Sequence, residues 1–560
     1  MVDAGPSELQ VRAQRARAIA GESPIVAIAL AALTFALQIR LHAYSADFGQ
    51  DEASHYISSL AIHDYLRSNI GSSPLAFLKS FHAHYPLVGI GHWGPFYYGV
   101  AAVWMLVFST TLASVMALSA TVTTVTAFFI LSLSRKVSGR WPALCAAFAF
   151  ILAPLVERGS GRLMLDIPIT LMCLAALYAY ARYLREGLLR HSIAFALVAS
   201  AAMLIKGNAG CLAFVPPLSI LFARRWDLLR RPSFWAPLLI VALLVGPWYL
   251  LTFKLVAAGF RYTWGLEYVA TAIVANSRFL WDSLGPAILG ASALGFFDTM
   301  ARSWRGQDVS VLTVACALGV ADWTFQCVVP AAIQDRYLAP LLPPLLLLAG
   351  NGIVAVARWS SQHLAVRVKA MLALLLVLGV VPAAMAVPPK ASLGFVTMAP
   401  QLFRSLPDNN RTVLIVTNGR GEAAGLAALA MYDPNRPSIF AVRGSRLLGG
   451  GGYNNSEYRP RFQTIPEVMA AIDAYSIPLV LYHPNFPDSA AWAHVNQVED
   501  ASHLYAARWQ QVEETPSLGA PIILFRLPEN AAKPQPVGHL LALSAPKRLP
   551  AEVSANVETP

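Results

Sequence analysis

Residues 27–39 read A-I-A-L-A-A-L-T-F-A-L-Q-I, and residues 47–56 read D-F-G-Q-D-E-A-S-H-Y. The first stretch belongs to an apolar run from Ile25 to about Leu41, long enough to enter a bilayer whose hydrocarbon core takes about 20 residues of helix. The second places three carboxylates and a histidine just beyond its end. A membrane helix delivering a cluster of ionisable groups to the bilayer surface is the relationship from which the rest of the chain is read.

The composition agrees with a membrane setting. The 560 residues are 56% hydrophobic and 13% charged, with a mean hydropathy of +0.52, whereas soluble domains carry roughly 25% charged residues. The net charge of +11 does not point to nucleic acid, because the arginines gather in short gaps between apolar runs, where they report topology. The five cysteines, Cys145, Cys173, Cys211, Cys316 and Cys327, all fall inside apolar segments. Their spacing suggests neither zinc site nor disulfide framework. Arg12, Arg15 and Arg17 precede the first apolar run, which is longer than the h-region of a cleaved signal peptide. It is read as an uncleaved first span.

Spans are expected near 25–43, 112–133, 141–156, 164–182, 191–206, 209–223, 234–253, 284–298, 310–330, 336–357 and 370–388, with a further apolar stretch at 95–108. That makes about 11 to 13 crossings. Basic clusters at 135–140, 182–191, 224–231, 301–306 and 358–369 are assigned with the N-terminal segment 1–24 to the cytoplasm. Residues 44–93, 157–163, 207–208, 254–283 and 331–335 then fall outside. A full crossing at 95–108 would invert this parity, so that stretch either dips in and returns or is accompanied by a second short crossing.

Beyond the last span the pattern changes. T-V-L-I-V-T-N (412–418), S-I-F-A-V-R (438–443), I-P-L-V-L-Y (477–482) and I-I-L-F-R-L (522–527) read as short buried strands, with helices near 421–431, 465–474 and 488–504. Residues 391–528 are therefore expected to form a small extracytoplasmic α/β domain, and the Pro- and Ala-rich 529–560 a disordered tail. G-G-G-G-Y (449–453) lacks the Lys-Ser/Thr of a P-loop and is read as a loop. Trp248, Tyr249, Trp264 and Tyr268 could stack on sugar, but interfacial aromatic belts use the same residues routinely.

On this topology several polar features converge on one face: Asp47, Asp51 and Glu52; Arg158, Arg162 and Asp166; Lys206 in L-I-K-G-N; and Asp335, Arg336 and Tyr337 in Q-D-R-Y-L-A-P. Ionisable groups at membrane depth are costly unless they pair or face a cavity, so a cluster of both signs marks a candidate site. The competing reading is a set of interfacial caps and salt bridges. Asp166, which opens a span in M-L-D-I-P-I-T, favours the functional reading most. Asp47 is read as a solvated loop residue.

The pieces D-E-A-S-H-Y, G-P-F-Y-Y, S-G-R-W-P-A-L-C-A-A-F-A-F-I-L-A-P, L-M-L-D-I-P, L-I-K-G, G-P-W-Y and D-R-Y-L-A-P-L-L-P-P occur in that order. Through them the chain, from about 25 to 390, resembles the GT-C superfamily of polyprenyl-phosphate-sugar-dependent glycosyltransferases, in the branch of lipid A aminoarabinose transferases and protein O-mannosyltransferases. The resemblance implies an α-helical polytopic membrane protein of GT-C fold, with a catalytic domain over 25–390 that includes the first outer loop 44–93. It implies a hexosyl or pentosyl transferase of the cytoplasmic (inner) membrane whose active site and C-terminal domain are periplasmic. The donor would be a polyprenyl-phosphate sugar lying among membrane lipid. The acceptor, a lipid, glycan or protein, would displace the polyprenyl phosphate with inversion.

Asp51 matches the family's general base, with Glu52 in support and Asp166 as the partner carboxylate that orients the acceptor or a metal. Arg336, Lys206, Arg162 and Arg158 are the candidates for the donor phosphate. Tyr56, His55, Tyr97 and Tyr337 are candidates to contact sugar or acceptor. His82 and His84 with Glu52 could hold a divalent cation, magnesium, manganese or zinc, although their spacing matches no standard zinc motif and some family members are metal-independent. A transporter or flippase for lipid-linked sugars, and a non-catalytic relative, are the alternatives. No internal repeat of the transporter kind is visible, and the D-E and M-L-D motifs are intact.

Overall fold

The computed structural model describes residues 8–528 except 258, 261, 359–361, 451–457, 485–491 and 518. The expected tail at 529–560 and residues 451–453 of the glycine tract lie outside the described residues. Two compact units emerge: residues up to Tyr44 with Ile90–Lys390, and Ser45–Gly89 with the described residues from Ala391 onward. The segment expected as the first outer loop of the helical domain therefore groups with the C-terminal α/β residues.

The first unit is helical. Among the described residues seven helices are long and apolar enough to cross a membrane: Leu112–Ser138, Asp166–Glu186, Pro232–Ala257, Leu266–Trp304, Ser310–Val328, Asp335–Ala357 and Leu364–Met385. The pair Arg140–Leu152 and Pro154–Ser160 makes an eighth if its 61° bend is one broken span. The bend falls at Ala153, whose backbone is extended, with Pro154 opening the second piece, where its fixed φ and missing N–H cost nothing. Shorter apolar helices cover Pro24–Arg40, Phe96–Val107, Leu189–Met203 and Gly207–Ala223, so every segment read as a span is an apolar helix. Phe96–Val107 has 12 residues, a length of about 18 Å, too short to traverse the hydrocarbon core as a straight helix. Residues 266–283, expected in an outer gap, are helical instead. They form the first part of Leu266–Trp304, which breaks at Gly285 (φ 72°) just before Pro286.

Close backbone approach holds this unit together. A Cβ on Gly295 would lie 1.9 Å from the Leu348 carbonyl oxygen, and one on Gly352 would lie 2.0 Å from that of Ala291. Small residues let membrane helices meet backbone to backbone, where packing and polar contacts replace the hydrophobic drive. Asn351 Nδ2 adds such contacts to Gly295 O (3.1 Å) and Asp298 Oδ2 (3.0 Å). All five cysteines are buried and unbridged.

The second unit carries a five-stranded sheet of order β2-β1-β5-β7-β6. Its strands are β1 Thr412–Val416, β2 Phe440–Arg443, β5 Leu479–Tyr482, β6 Gln510–Thr515 and β7 Ile522–Arg526; β3 Gly449–Gly450 and β4 Arg459–Pro460 form a separate two-stranded ladder. Strands β2, β1 and β5 run parallel, and β7 pairs antiparallel with β5 and β6. The helices between them are Gly419–Tyr432, Ile465–Ala474 and Ala493–Leu504. Strand β6, Q-Q-V-E-E-T, was not expected. It is an edge strand, and edges carry polar residues rather than the buried apolar runs that mark a central strand.

Helices Gln50–Ser68 and Pro74–His84 belong to this unit. Asp47 is not solvated: it is 3% exposed. Its carboxylate accepts the backbone N–H groups of Leu393 (2.6 Å), Gly394 (2.7 Å) and Val396 (2.7 Å) at the start of helix Phe395–Ser405. The orphan donors of a helix N-terminus favour a carboxylate there. Arg436 donates to Asp64 (3.0 Å) and Tyr85 to Asp433 (2.5 Å). Residues 45–89 are thus tied to residues 391–440 at three places.

Candidate active site

In the helical unit the site is built on three chain breaks. Helix Asp166–Glu186 starts at Asp166, the helix ending at Met203 gives way to an extended Lys206, and the 3₁₀ turn Asp335–Leu341 carries D-R-Y. Gly94 of G-P-F-Y-Y fits against this framework, since a Cβ there would meet the Leu204 carbonyl oxygen at 2.0 Å. Phe96 N–H donates to that same oxygen at 3.1 Å. Two motifs separated by more than a hundred residues are thereby held edge to edge.

Lys206 Nζ donates to Asp166 Oδ1 at 2.6 Å, with both side chains buried. The same ammonium lies 4.0 Å from the centre of the Tyr337 ring, a cation–π geometry that offsets part of its desolvation. Asp166 Oδ2 is buried and has no hydrogen-bond partner among the described residues. An ionised carboxylate can accept about four hydrogen bonds, so this oxygen retains capacity for a donor.

The remaining candidates divide. Arg158 is ion-paired with Asp335, both about one-third exposed. The other oxygen of Asp335 accepts the Arg336 N–H at 2.7 Å. Arg336 Nε donates to the neutral Gln334 at 2.7 Å, and its guanidinium approaches Met164 Sδ and the Tyr337 ring. Arg162 is exposed, and its backbone carbonyl accepts from Ser119 at 3.0 Å. Tyr97 is buried with its hydroxyl unpartnered among the described residues. Sequence reasoning missed Glu157, a fully buried carboxylate paired with Arg40 of the first helix, and Gln334. Glu157 sits in no motif, Gln334 opens the Q-D-R-Y-L-A-P stretch without having been singled out, and only the fold identifies their partners.

In the second unit, Asp51 and Glu52 lie in the first turn of helix Gln50–Ser68, where negative charge is favoured by the helix dipole. Glu52 is buried and accepts the Gly49 N–H at 2.8 Å, so its carboxylate serves as a cap. Asp51 is partly exposed. His55 and Tyr56 are buried, and Tyr56 stacks on Phe48 at 4.7 Å.

The possible metal ligands are not brought together. His84 stacks on Phe440 at 4.0 Å, and burial together with the nearby Arg443 charge lowers the His82 pKa. A guanidinium beside His82 disfavours a cation there. Among the described residues no group of three His, Cys, Asp or Glu side chains is placed to hold a metal ion.

The apolar helices of the first unit define a multi-pass membrane protein. Residues 92–251 match the family model described as dolichyl-phosphate-mannose-protein mannosyltransferase. Among solved structures the chain is similar to ArnT from Cupriavidus metallidurans bound to undecaprenyl phosphate, with 14% identity, a TM-score of 0.54, and 91% of this chain and 99% of that one covered. It is also similar to the archaeal oligosaccharyltransferase AglB from Archaeoglobus fulgidus, in complex with an inhibitory peptide and a dolichol-phosphate. There the identity is 12%, the TM-score 0.55, and the coverage 90% of this chain and 74% of that one. Another structure of the Archaeoglobus fulgidus enzyme contains zinc and sulfate. No curated protein matches the sequence. At these identities the structural likeness speaks for the fold, and the chain resembles GT-C glycosyltransferases of the ArnT and mannosyltransferase kind.

Proposed function

We propose that the protein is an inverting glycosyltransferase that moves a sugar from a polyprenyl-phosphate donor to an acceptor at the extracytoplasmic face of the cytoplasmic membrane. The observation that carries this reading is the buried Asp166–Lys206 pair, with Tyr337 beneath the ammonium and one Asp166 oxygen unspent. The GT-C fold and the mannosyltransferase match over 92–251 support it. The orientation rests on the basic gaps, which the positive-inside rule assigns to the cytoplasm.

In this reading Asp51 takes the proton from the acceptor nucleophile. The nucleophile forms its bond to the anomeric carbon as the bond from that carbon to the phosphate oxygen breaks, and polyprenyl phosphate leaves with the electron pair. A single displacement inverts the anomeric centre. Asp166 orients the acceptor through its second oxygen, while Lys206 holds that carboxylate in place. Arg336 and Arg162 stabilise charge developing on the leaving phosphate. Arg158, committed to Asp335, contributes less. No step is assigned to a metal: Glu52 caps its own helix and His84 stacks on Phe440.

The test uses the purified full chain in vesicles with a panel of polyprenyl-phosphate sugars and membrane extracts as acceptors. Asp51→Asn is expected to lower kcat by about 10²- to 10⁴-fold. Transfer by the variant at the parental rate overturns the base assignment. Passage of lipid-linked sugar across the bilayer without transfer overturns the enzyme reading in favour of a transporter.

A further inference from the structure

A cavity of about 400 Å³ opens within the helical unit, lined in part by Asp335 of the D-R-Y turn. Its walls come from four separate places: Arg158 beside the broken span, Phe279, Asp282 and Ser283 of the long helix, Asp335, and Ala386 after the helix Leu364–Met385. The cavity lies one turn before the break at Gly285, where the helix changes direction.

The chemistry of the lining narrows the ligand. A bare phosphate would face two carboxylates, Asp282 and Asp335, and a single guanidinium already paired with one of them. Asp282 has its own partner outside, Arg278 at 3.9 Å, so the wall as a whole is close to neutral. A lipid tail could lie against Pro154, Phe279, Ala383, Ala386 and Val387 but would leave the ion pair and Ser283 desolvated. A polyhydroxylated ring satisfies both sides. Carboxylates accept from its hydroxyls, a guanidinium and Ser283 donate to its oxygens, and its C–H face can lie against Phe279 and Ala386. We infer that this cavity is a saccharide subsite taking a neutral sugar ring, with Phe279 as platform and Asp282, Asp335, Arg158 and Ser283 as hydrogen-bonding wall. The inference rests on the transferase reading for its role, and on the cavity's own chemistry for the class of ligand. Because Asp335 and Tyr337 belong to one turn, occupancy of the cavity bears directly on the residue that supports Lys206.

Binding is read without transfer, by saturation-transfer-difference NMR on the full chain in a detergent with no sugar headgroup. The probes are methyl glycosides of glucose, mannose and xylose. Ring-proton signals are expected from at least one glycoside with the parent, several-fold weaker with Phe279→Ala, and absent with Ala386→Trp, which fills the cavity. Equal signals from all three proteins, no signal from the parent, or displacement of every signal by polyprenyl phosphate alone would overturn the subsite. Asp166→Asn separates the two readings. It should abolish transfer and leave glycoside binding intact; if the parent transfers sugar from no donor while Phe279→Ala still loses the glycoside, the transferase reading fails and the subsite stands.

Discussion

Lys206 and Asp166 meet at 2.6 Å with both side chains buried, the ammonium lying over the ring of Tyr337. Removing one partner of a buried pair leaves the other charge uncompensated, which costs about 3–5 kcal/mol. Lys206→Met is therefore expected to lower the thermal stability of the purified protein sharply. Lys206→Met combined with Asp166→Leu should recover most of that loss, because neither charge remains. Transfer should be lost in both. Melting followed by size-exclusion in detergent measures the first effect, and a double variant no more stable than the single one would show that the pair is not a stability element.

Asp47 accepts three backbone N–H groups at the start of helix Phe395–Ser405. Asp47→Ala leaves those donors unsatisfied at about 1–3 kcal/mol each. Hydrogen exchange at residues 393–396 should accelerate in the variant, while exchange in Leu112–Ser138 stays as in the parent. Unchanged protection at 393–396 would count against Asp47 as the anchor.

Gly94 has no room for a Cβ beside the Leu204 carbonyl. Gly94→Ala should displace 204–206 and hence Lys206, lowering expression and stability, and reducing kcat more than donor KM in whatever protein folds. Gly99→Ala, where nothing lies within 4 Å of the added carbon, is the control and should be near neutral.

Three histidines of the α/β unit resist protonation. Burial lowers the pKa of His494 despite the nearby Glu422; burial lowers His483; burial and then Arg443 lower His82. Below the unfolded value of about 6.5, the unfolded chain takes up protons that the folded unit does not. Stability is thus whole above that pH and is lost as pH falls toward the depressed folded values. Hydrogen exchange in β1 and β2, corrected for intrinsic rates, should show falling protection from pH 7 to 5.5, and His494→Gln should flatten the trend. A pH-independent profile in the parent would refute the linkage.

Much of the architecture could be read directly, for physical reasons that differ from element to element. Segments such as 112–133 and 310–330 announce themselves because a bilayer demands an unbroken apolar helix. Helix Ile465–Ala474 was placed by its periodicity, and the structure adds the capping box of Thr464 and Glu467. By contrast, the polar edge strand β6 carries no apolar signal, and the helical course of 266–283 was hidden by charged and aromatic residues that also suit a loop. At the site, Asp166, Lys206, Arg336 and Tyr337 were visible as motif residues and are gathered by the fold. Glu157, the role of Gln334 as the partner of Arg336, and the anchoring role of Asp47 were not.

The sequence by itself determined where the apolar helices run and where the α/β residues begin, because hydropathy and strand periodicity are properties of neighbouring residues. Only the tertiary structure decided which charge meets which. Lys206 finds Asp166 across 40 positions, Arg158 finds Asp335 across 177, and Asp47 finds Leu393 across 346. A hydrogen bond requires its atoms within about 3 Å, and nothing in local composition encodes that distance. It also decided that residues 45–89, carrying Asp51 and Glu52, fold with the α/β unit, since Asp47, Asp64 and Tyr85 spend their hydrogen bonds on residues beyond 390.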